Sequence, residues 1–185
     1  IAFGDIMLSR NVATKMRLYG NDYPFLKMTN ALSSADIAFA NLENPITVGP
    51  IVPTGSFTFH ADPGSEIALK QSGIDVVSLA NNHSPNYGDK GLLDTINYLD
   101  QQSILHVGAG KDLIAALEPA VVERNGVKFA FIAFNDTDVV PPSYGAGTSH
   151  AGTALMDFDR LHQAMGRAKS LAEVFIVSMH AGTEY

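Results

Sequence analysis

The chain has no cysteine among its 185 residues, which excludes a disulfide framework, a thiolate metal site and a cysteine nucleophile. Basic residues are scarce: twelve Lys and Arg stand against nineteen Asp and Glu, for a formal net charge of -7. Wrapping a phosphate backbone needs a basic face, so nucleic acid is a poor candidate for the principal partner. No run approaches the roughly 18 to 20 apolar residues that a membrane helix requires. The Gly-x-Ser-x-Gly elbow and the P-loop are missing, so serine-hydrolase and nucleoside-triphosphatase chemistry lack their motifs. Repeats, low-complexity tracts and interdomain linkers are absent as well.

What is present can fold. With 46% hydrophobic residues the chain can bury one sizeable core, and the expectation is a single domain over residues 1–185. The chain opens on Ile1 inside an apolar run and closes on His-Ala-Gly-Thr-Glu-Tyr directly after another. Both ends therefore read as cut, and export or a membrane anchor stays open despite the lack of a visible signal segment.

Short apolar runs bounded by Gly, Asn, Asp and Pro alternate with segments of helical spacing, the pattern of an α/β sheet with crossover helices. Strands are expected at Ile1 to Phe3, Ile37 to Leu42, Ser56 to His60, Val76 to Leu79, Ile104 to Val107, Ala120 to Arg124, Lys128 to Phe134 and Val174 to Ser178. Helices are expected at Pro24 to Ser33, Gly64 to Ser72, Lys90 to Gln101, Leu113 to Leu117 and Asp159 to Ser170. Asp62-Pro63 offers the second of these an N-cap and Gly73 a stop. Asn125-Gly126 predicts an antiparallel hairpin, which makes the sheet content mixed. Thr137 to Gly152, with two prolines and three glycines, reads as a long surface loop.

Four expected strands end in groups able to bind a cation: Asp5, then Asn41 with Glu43, then Asn81-Asn82-His83, and finally His180 with Glu184. Taken singly, Asp5 is as readily a turn aspartate, the asparagines left-handed turn residues, and each histidine a structural one. In an α/β sheet, however, the carboxyl ends of strands line a common crevice, so the coincidence favours one shared site. Oxygen and imidazole donors without thiolate suit manganese, zinc, iron or magnesium. Two such ions about 4 Å apart can polarise a phosphoryl oxygen, and His83 beside them can protonate a leaving oxygen as a general acid. Gly108-Ala109-Gly110 begins like a dinucleotide fingerprint, but Leu113 occupies the third glycine position, so a tight strand-to-helix turn is the better reading. His60, His106, His150 and His162 have no partner at a metal spacing and read as surface or packing residues; His150, in the long loop, has a substrate contact as its functional alternative.

Gly4-Asp5-Ile6-Met7-Leu8-Ser9-Arg10, Tyr23-Pro24-Phe25, Ala40-Asn41-Leu42-Glu43-Asn44-Pro45, Ala80-Asn81-Asn82-His83, Tyr87-Gly88-Asp89-Lys90-Gly91, His106-Val107-Gly108-Ala109-Gly110 and His180-Ala181-Gly182-Thr183-Glu184-Tyr185 occur in this order. The combination resembles the bacterial capsule-synthesis CapA family, also called PgsA-type poly-γ-glutamate biosynthesis proteins, from one end of the chain to the other. That family is similar in fold to the calcineurin-like metallophosphoesterases. The resemblance implies a metallo-dependent phosphatase-like sandwich of two mixed β-sheets flanked by helices (α-β-β-α), truncated here at the C-terminus before a Gly-His-x-His segment. It also implies divalent metal held by Asp5, Asn41, Glu43, Asn82 and His180, with His83 as acid or substrate contact and Arg10 as an anion contact. Met7 stands where the first motif of the phosphoesterases has histidine, and Asn41 where they have a bridging aspartate, which removes one neutral ligand and one negative charge. Ala181 stands where the family usually has tryptophan.

The resemblance further implies a role in capsule or poly-γ-glutamate synthesis at the bacterial cell surface, membrane-anchored, with synthase components as partners and an acidic polymer or phosphate ester as substrate. Two other readings stand beside it: a metal-dependent phosphoesterase unrelated to capsule, and a non-catalytic scaffold for polymer or partners.

Overall fold

The computed structural model describes residues 1–49, 57–138 and 140–182. The chain falls into two compact units, one of Ile1–Val77 with His83–Leu105 and one of Ser78–Asn82 with His106–Tyr185. It is α/β with mixed strand directions, as the alternation of apolar runs predicts.

In the first unit, β1 (Ala2–Ile6) pairs in parallel with β2 (Phe39–Leu42), with Asp5 opposite Asn41 and Ile6 opposite Leu42 and an irregularity between Ala2 and Asp5. With β3 (Val76–Ser78) and β4 (Leu105–Val107) they form a four-stranded sheet in the order β1-β2-β3-β4. Every residue of β2 and β3 is buried, which is why these strands are nearly continuous apolar runs without polar alternation. Helices α1 (Arg10–Tyr19), α2 (Thr29–Ser33), α3 (Ser65–Ser72) and α4 (Gly88–Gln101) connect the strands.

Several expectations need correction here. Helix α1 was not anticipated: only Met16 of it is buried, Ser9 gives no side-chain cap, and Arg10 opens it with a positive φ of 56°. The single helix expected over Pro24 to Ser33 is instead a 3-10 turn at Tyr23–Phe25 followed by the short α2. Phe57 to His60 form no strand, and their neighbour Ala61 makes one isolated bridge to Ile46; Ser56 lies outside the described residues. Asp62 does not cap α3 with its side chain. Its backbone carbonyl accepts from Ser65 N–H and Oγ, while its carboxylate turns to Arg17 at 2.9 Å. The stop at Gly73 holds: φ is 98°, and a Cβ there would lie 2.8 Å from the Ser33 backbone.

In the second unit, β6 (Ala120–Arg124) and β7 (Val127–Asn135) form the expected antiparallel hairpin. Asn125 and Gly126 have φ of 54° and 79°, the two left-handed positions of a type I′ turn. Strand β9 (Val174–His180) joins β7 in parallel, from Phe129 opposite Val174 to Asn135 opposite His180. One face of β7 presents Ile132 and Phe134 to a cluster of Ala116, Leu117, Ala154 and Ala164, contributed by α5 (Leu113–Ala116), α6 (Phe158–Lys169) and adjoining segments. Asp112 and Asp157 cap these two helices, each carboxylate accepting a backbone N–H at 2.8 Å.

The long loop is less free than its composition suggests. A small antiparallel pair, β5 (Ala109–Gly110) with β8 (Gly152–Thr153), ties down its end, Ala146 N–H bonds the Thr153 carbonyl, and His150 Nε2 lies 2.9 Å from the Gly145 carbonyl oxygen. Gly108 has φ of 82°, and a Cβ on it would meet Ala80 Cβ at 2.6 Å and Ala133 Cβ at 2.9 Å. That glycine serves close packing. No helix among the described residues is long and apolar enough to cross a membrane.

Candidate functional site

In the first unit the parallel register sets Asp5 beside Asn41, and the two-residue period of a strand sets Asn41 and Glu43 on one side. The Asn41 amide nitrogen donates to Asp5 Oδ1 at 2.8 Å and to Glu43 Oε2 at 2.5 Å. Carboxylate oxygens accept hydrogen bonds, so the two draw in the NH2 end of the amide. Asn41 thus sits between the carboxylates as a donor. Asn41 and Glu43 are 9% and 7% exposed, while Asp5 is exposed.

A buried carboxylate needs a positive partner or several donors. His83 Nε2 lies 3.8 Å from Glu43 Oε1, with both side chains about one tenth exposed (10% and 9%). The ring is held from its other side. Its Nδ1 is 3.0 Å from Asn86 Oδ1, and the same oxygen accepts the Phe59 N–H at 2.9 Å. Because the backbone donor fixes that oxygen as an acceptor, Nδ1 carries a hydrogen and Nε2 is the nitrogen turned to Glu43. Phe59 packs against the imidazole with ring centroids 4.2 Å apart. The Arg10 guanidinium lies over Phe57 and Phe59, at 5.9 and 5.6 Å from the ring centres.

Asn44 lies within the Ala40–Pro45 motif without an assigned role, and it is wholly buried. Its Oδ1 accepts the Leu8 N–H at 2.6 Å and its nitrogen bonds the Pro45 carbonyl, so it ties together the segments that follow β1 and β2. Asn86 was overlooked by the motif reading; its only signal was its place three residues after His83, where a 3-10 turn at Ser84–Tyr87 brings it back to the ring. Met7 Sδ accepts the Ser9 N–H at 3.3 Å. A cavity of about 240 Å³ beside Asp5 is lined by Phe3, Met7, Phe25, Met28 and other apolar side chains, and it lacks the converging polar groups a reaction needs.

His60 accounts for itself structurally. It meets the Tyr87 hydroxyl at 2.8 Å and Asp62 at 3.7 Å, and burial, then the Asp62 charge, pushes the Tyr87 hydroxyl above its ordinary pKa of 10.0. His162 Nδ1 lies 2.9 Å from the Phe158 carbonyl oxygen on an exposed helix face.

In the second unit Asn82 Oδ1 and His180 Nε2 are 3.1 Å apart. Leu79 N–H bonds the Val107 carbonyl, which fixes the segment leading to Asn82, and His180 ends β9. Glu184 lies outside the described residues. Oxygen and nitrogen ligands of one divalent ion, each bonded at about 2.1 Å, stand about 3.0 Å apart when at right angles. The Asn82 and His180 donors fit that spacing. The carboxylates of Asp5 and Glu43 with the His83 imidazole are likewise a donor set without sulfur, suited to manganese, zinc, iron or magnesium.

Comparison with known proteins places the chain. The family model described as Bacterial capsule synthesis protein PGA_cap matches residues 1–185. The capsule biosynthesis protein CapA of Bacillus anthracis is 30% identical over 190 residues, covering 98% of this chain and 46% of that protein. The PGA biosynthesis protein CapA of Bacillus subtilis is 30% identical over 185 residues, covering 98% and 48%. A "Probable polyglutamine synthesis accessory protein" of Mycobacterium tuberculosis is 30% identical over 165 residues, covering 83% and 43%. The chain belongs to the bacterial capsule synthesis PGA_cap family, and it spans about half the length of the Bacillus relatives (46% and 48%).

Proposed function

We propose that this chain works in the synthesis of a bacterial capsule or of poly-γ-glutamate, as a membrane-anchored cell-surface component with a metallophosphoesterase-like sandwich of two mixed sheets. The names of its relatives support the pathway: two are capsule or PGA biosynthesis proteins and one a synthesis accessory protein. Synthase components are the partners this reading assigns. The observation that supports a cation-dependent chemistry is the convergence of Asp5 and Glu43 on Asn41 at the ends of adjacent parallel strands. Two carboxylates gathered this closely repel each other, and a positive charge between them would relieve that more fully than the Asn41 amide does.

In this reading Asp5, Asn41 and Glu43 of the first unit, and Asn82 and His180 of the second, are cation donors. A bound divalent ion supplies Lewis-acid polarisation of a phosphoryl oxygen. The Nδ1 hydrogen of His83 points at Asn86 Oδ1, which leaves Nε2 on the side of Glu43; when protonated there, His83 would give that hydrogen to the departing ester oxygen as water adds to phosphorus and the P–O bond breaks. Arg10, which makes no ion pair among the described residues and rests on two aromatic rings, meets the negative charge of the ester.

A phosphatase screen with manganese or zinc, run beside Asn82→Ala, tests the chemistry. Metal-dependent turnover lost in the variant supports it; turnover indifferent to both metal and variant overturns it. Met7 and Asn41, which replace a ligand histidine and a ligand carboxylate of the phosphoesterases, favour a second reading in which the domain binds acidic polymer or synthase without turnover. Capsule production retained when His83 and His180 are both alanine selects that scaffold.

A further inference from the structure

Asn135 ends β7 and is wholly buried, and its side chain belongs to none of the motifs named above. Its amide nitrogen donates to Thr153 Oγ1 at 3.3 Å, and that hydroxyl donates to the Tyr144 carbonyl at 3.3 Å. With the Thr153 hydroxyl donating to Tyr144, the hydrogen-bond network assigns the nitrogen end of the amide to Thr153. The backbone is fixed too: Asn135 N–H bonds the Ala154 carbonyl at 2.8 Å, and Met156 N–H bonds the Asn135 carbonyl at 2.9 Å. The side-chain oxygen Oδ1 is left buried with no hydrogen-bond partner. A buried acceptor left unpaired is costly to the fold.

Its position sets it beside His180. Asn135 lies opposite His180 in the parallel β7-β9 register, and side chains paired in this way project to the same face. Ala133, two residues back on that face, abuts the tight packing of Gly108 with Ala80. Asn82, two residues beyond Ala80, sets its Oδ1 at 3.1 Å from His180 Nε2.

We propose that Asn135 Oδ1 is a further donor to the divalent cation that Asn82 and His180 hold, an inference that rests on the cation reading above. The resulting set, two amide oxygens and an imidazole, is uncharged. Its affinity is therefore limited by ligand charge, and a carboxylate at position 135 strengthens it.

The test is titration of Mn2+ followed by electron paramagnetic resonance on wild type, Asn135→Ala, Asn135→Asp and His180→Ala, with melting temperatures measured with and without Mn2+. Asn135→Ala weakens binding by about tenfold or more and Asn135→Asp tightens it by a similar factor. Asn135→Asp also melts below wild type without metal and gains more from Mn2+ than wild type does. Binding that His180→Ala abolishes but both Asn135 variants leave unchanged overturns the proposal while the cation reading stands. A wild type that binds no Mn2+ overturns both. If Asn135→Ala does not fold, the Asn135→Asp comparison decides alone.

Discussion

Asn41 donates its side-chain nitrogen to Glu43 at 2.5 Å while the same nitrogen reaches Asp5 at 2.8 Å. An amide in that position does part of what a cation does: it offers hydrogens to two carboxylates that would otherwise repel each other. Asn41→Leu removes both bonds and is expected to cost about 2 kcal/mol. Asn41→Asp adds a third carboxylate, lowers the melting temperature without metal, and makes the protein gain more from Mn2+ than wild type gains. Thermal melts with and without Mn2+ check this; equal gains in both proteins count against cation binding at these carboxylates.

The Asn86 carbonyl decides which nitrogen of His83 faces Glu43. Asn86→Leu withdraws that acceptor, and the ring is expected to lose its single tautomer. Nitrogen-15 chemical shifts of the His83 ring report this directly. A ring that keeps its Nδ1 hydrogen in the variant shows that something other than Asn86 orients it.

Arg10 is expected to act on binding more than on stability, since its ring contacts are exposed and worth about 1 kcal/mol or less. Arg10→Ala should raise KM for a phosphate ester and leave the melting temperature within a few degrees of wild type. A fall in kcat at constant KM would remove the anion contact from the account.

Burial alone would raise the Asp94 carboxyl, but the hydrogen bonds from Lys90 and Thr47 and the Lys90 charge outweigh it and leave the group below its ordinary 3.8. A depressed carboxylate stabilises the fold above its unfolded pKa, and that stabilisation is lost as pH falls through the folded value. Lys90→Met is therefore expected to be less stable than wild type at pH 6 by about 1 kcal/mol or less, because Lys90 is exposed. The gap should close as pH drops below 3.8. Denaturant unfolding at a series of pH values measures it, and a gap that persists in acid would assign the effect to packing of the lysine stem.

Gly108 combines a left-handed φ with contacts that leave no room for a methyl group. Gly108→Ala is expected to destabilise by about 2–3 kcal/mol, read by denaturant unfolding, and a near-neutral result would mean that the segment around Ala80 shifts easily.

Much of the sheet content was readable because its signals are local. Asn125-Gly126 needs two left-handed residues and names them, and the buried runs at Phe39–Leu42 and Val76–Ser78 are short and apolar but for Asn41 and Ser78. Helix α1 was not readable, since it buries one side chain and starts from a strained arginine. Phe57 to His60 look like a strand by composition, but pairing is a tertiary property and this segment has only the bridge beside it. In the site the residue types could be picked out at strand ends, whereas the direction of the Asn41 amide depends on two carboxylates brought by other segments. Asn86 has only its place three residues after His83 and Asn135 has no spacing pattern; their roles appear when one oxygen is found with two donors and the other with none.

The parallel pairing of β9 with β7 also sets an order of assembly. The hairpin of β6 and β7 closes through a two-residue turn, an event of about 1–10 μs for such a unit. Strand β9 comes to β7 only after the loop and α6 have been traversed, a long-range closure of the kind that slows folding. His180 lies at the far end of that last strand, so its imidazole is set in place late, and a nascent chain lacking Val174–His180 leaves one edge of β7 open to pairing with other chains.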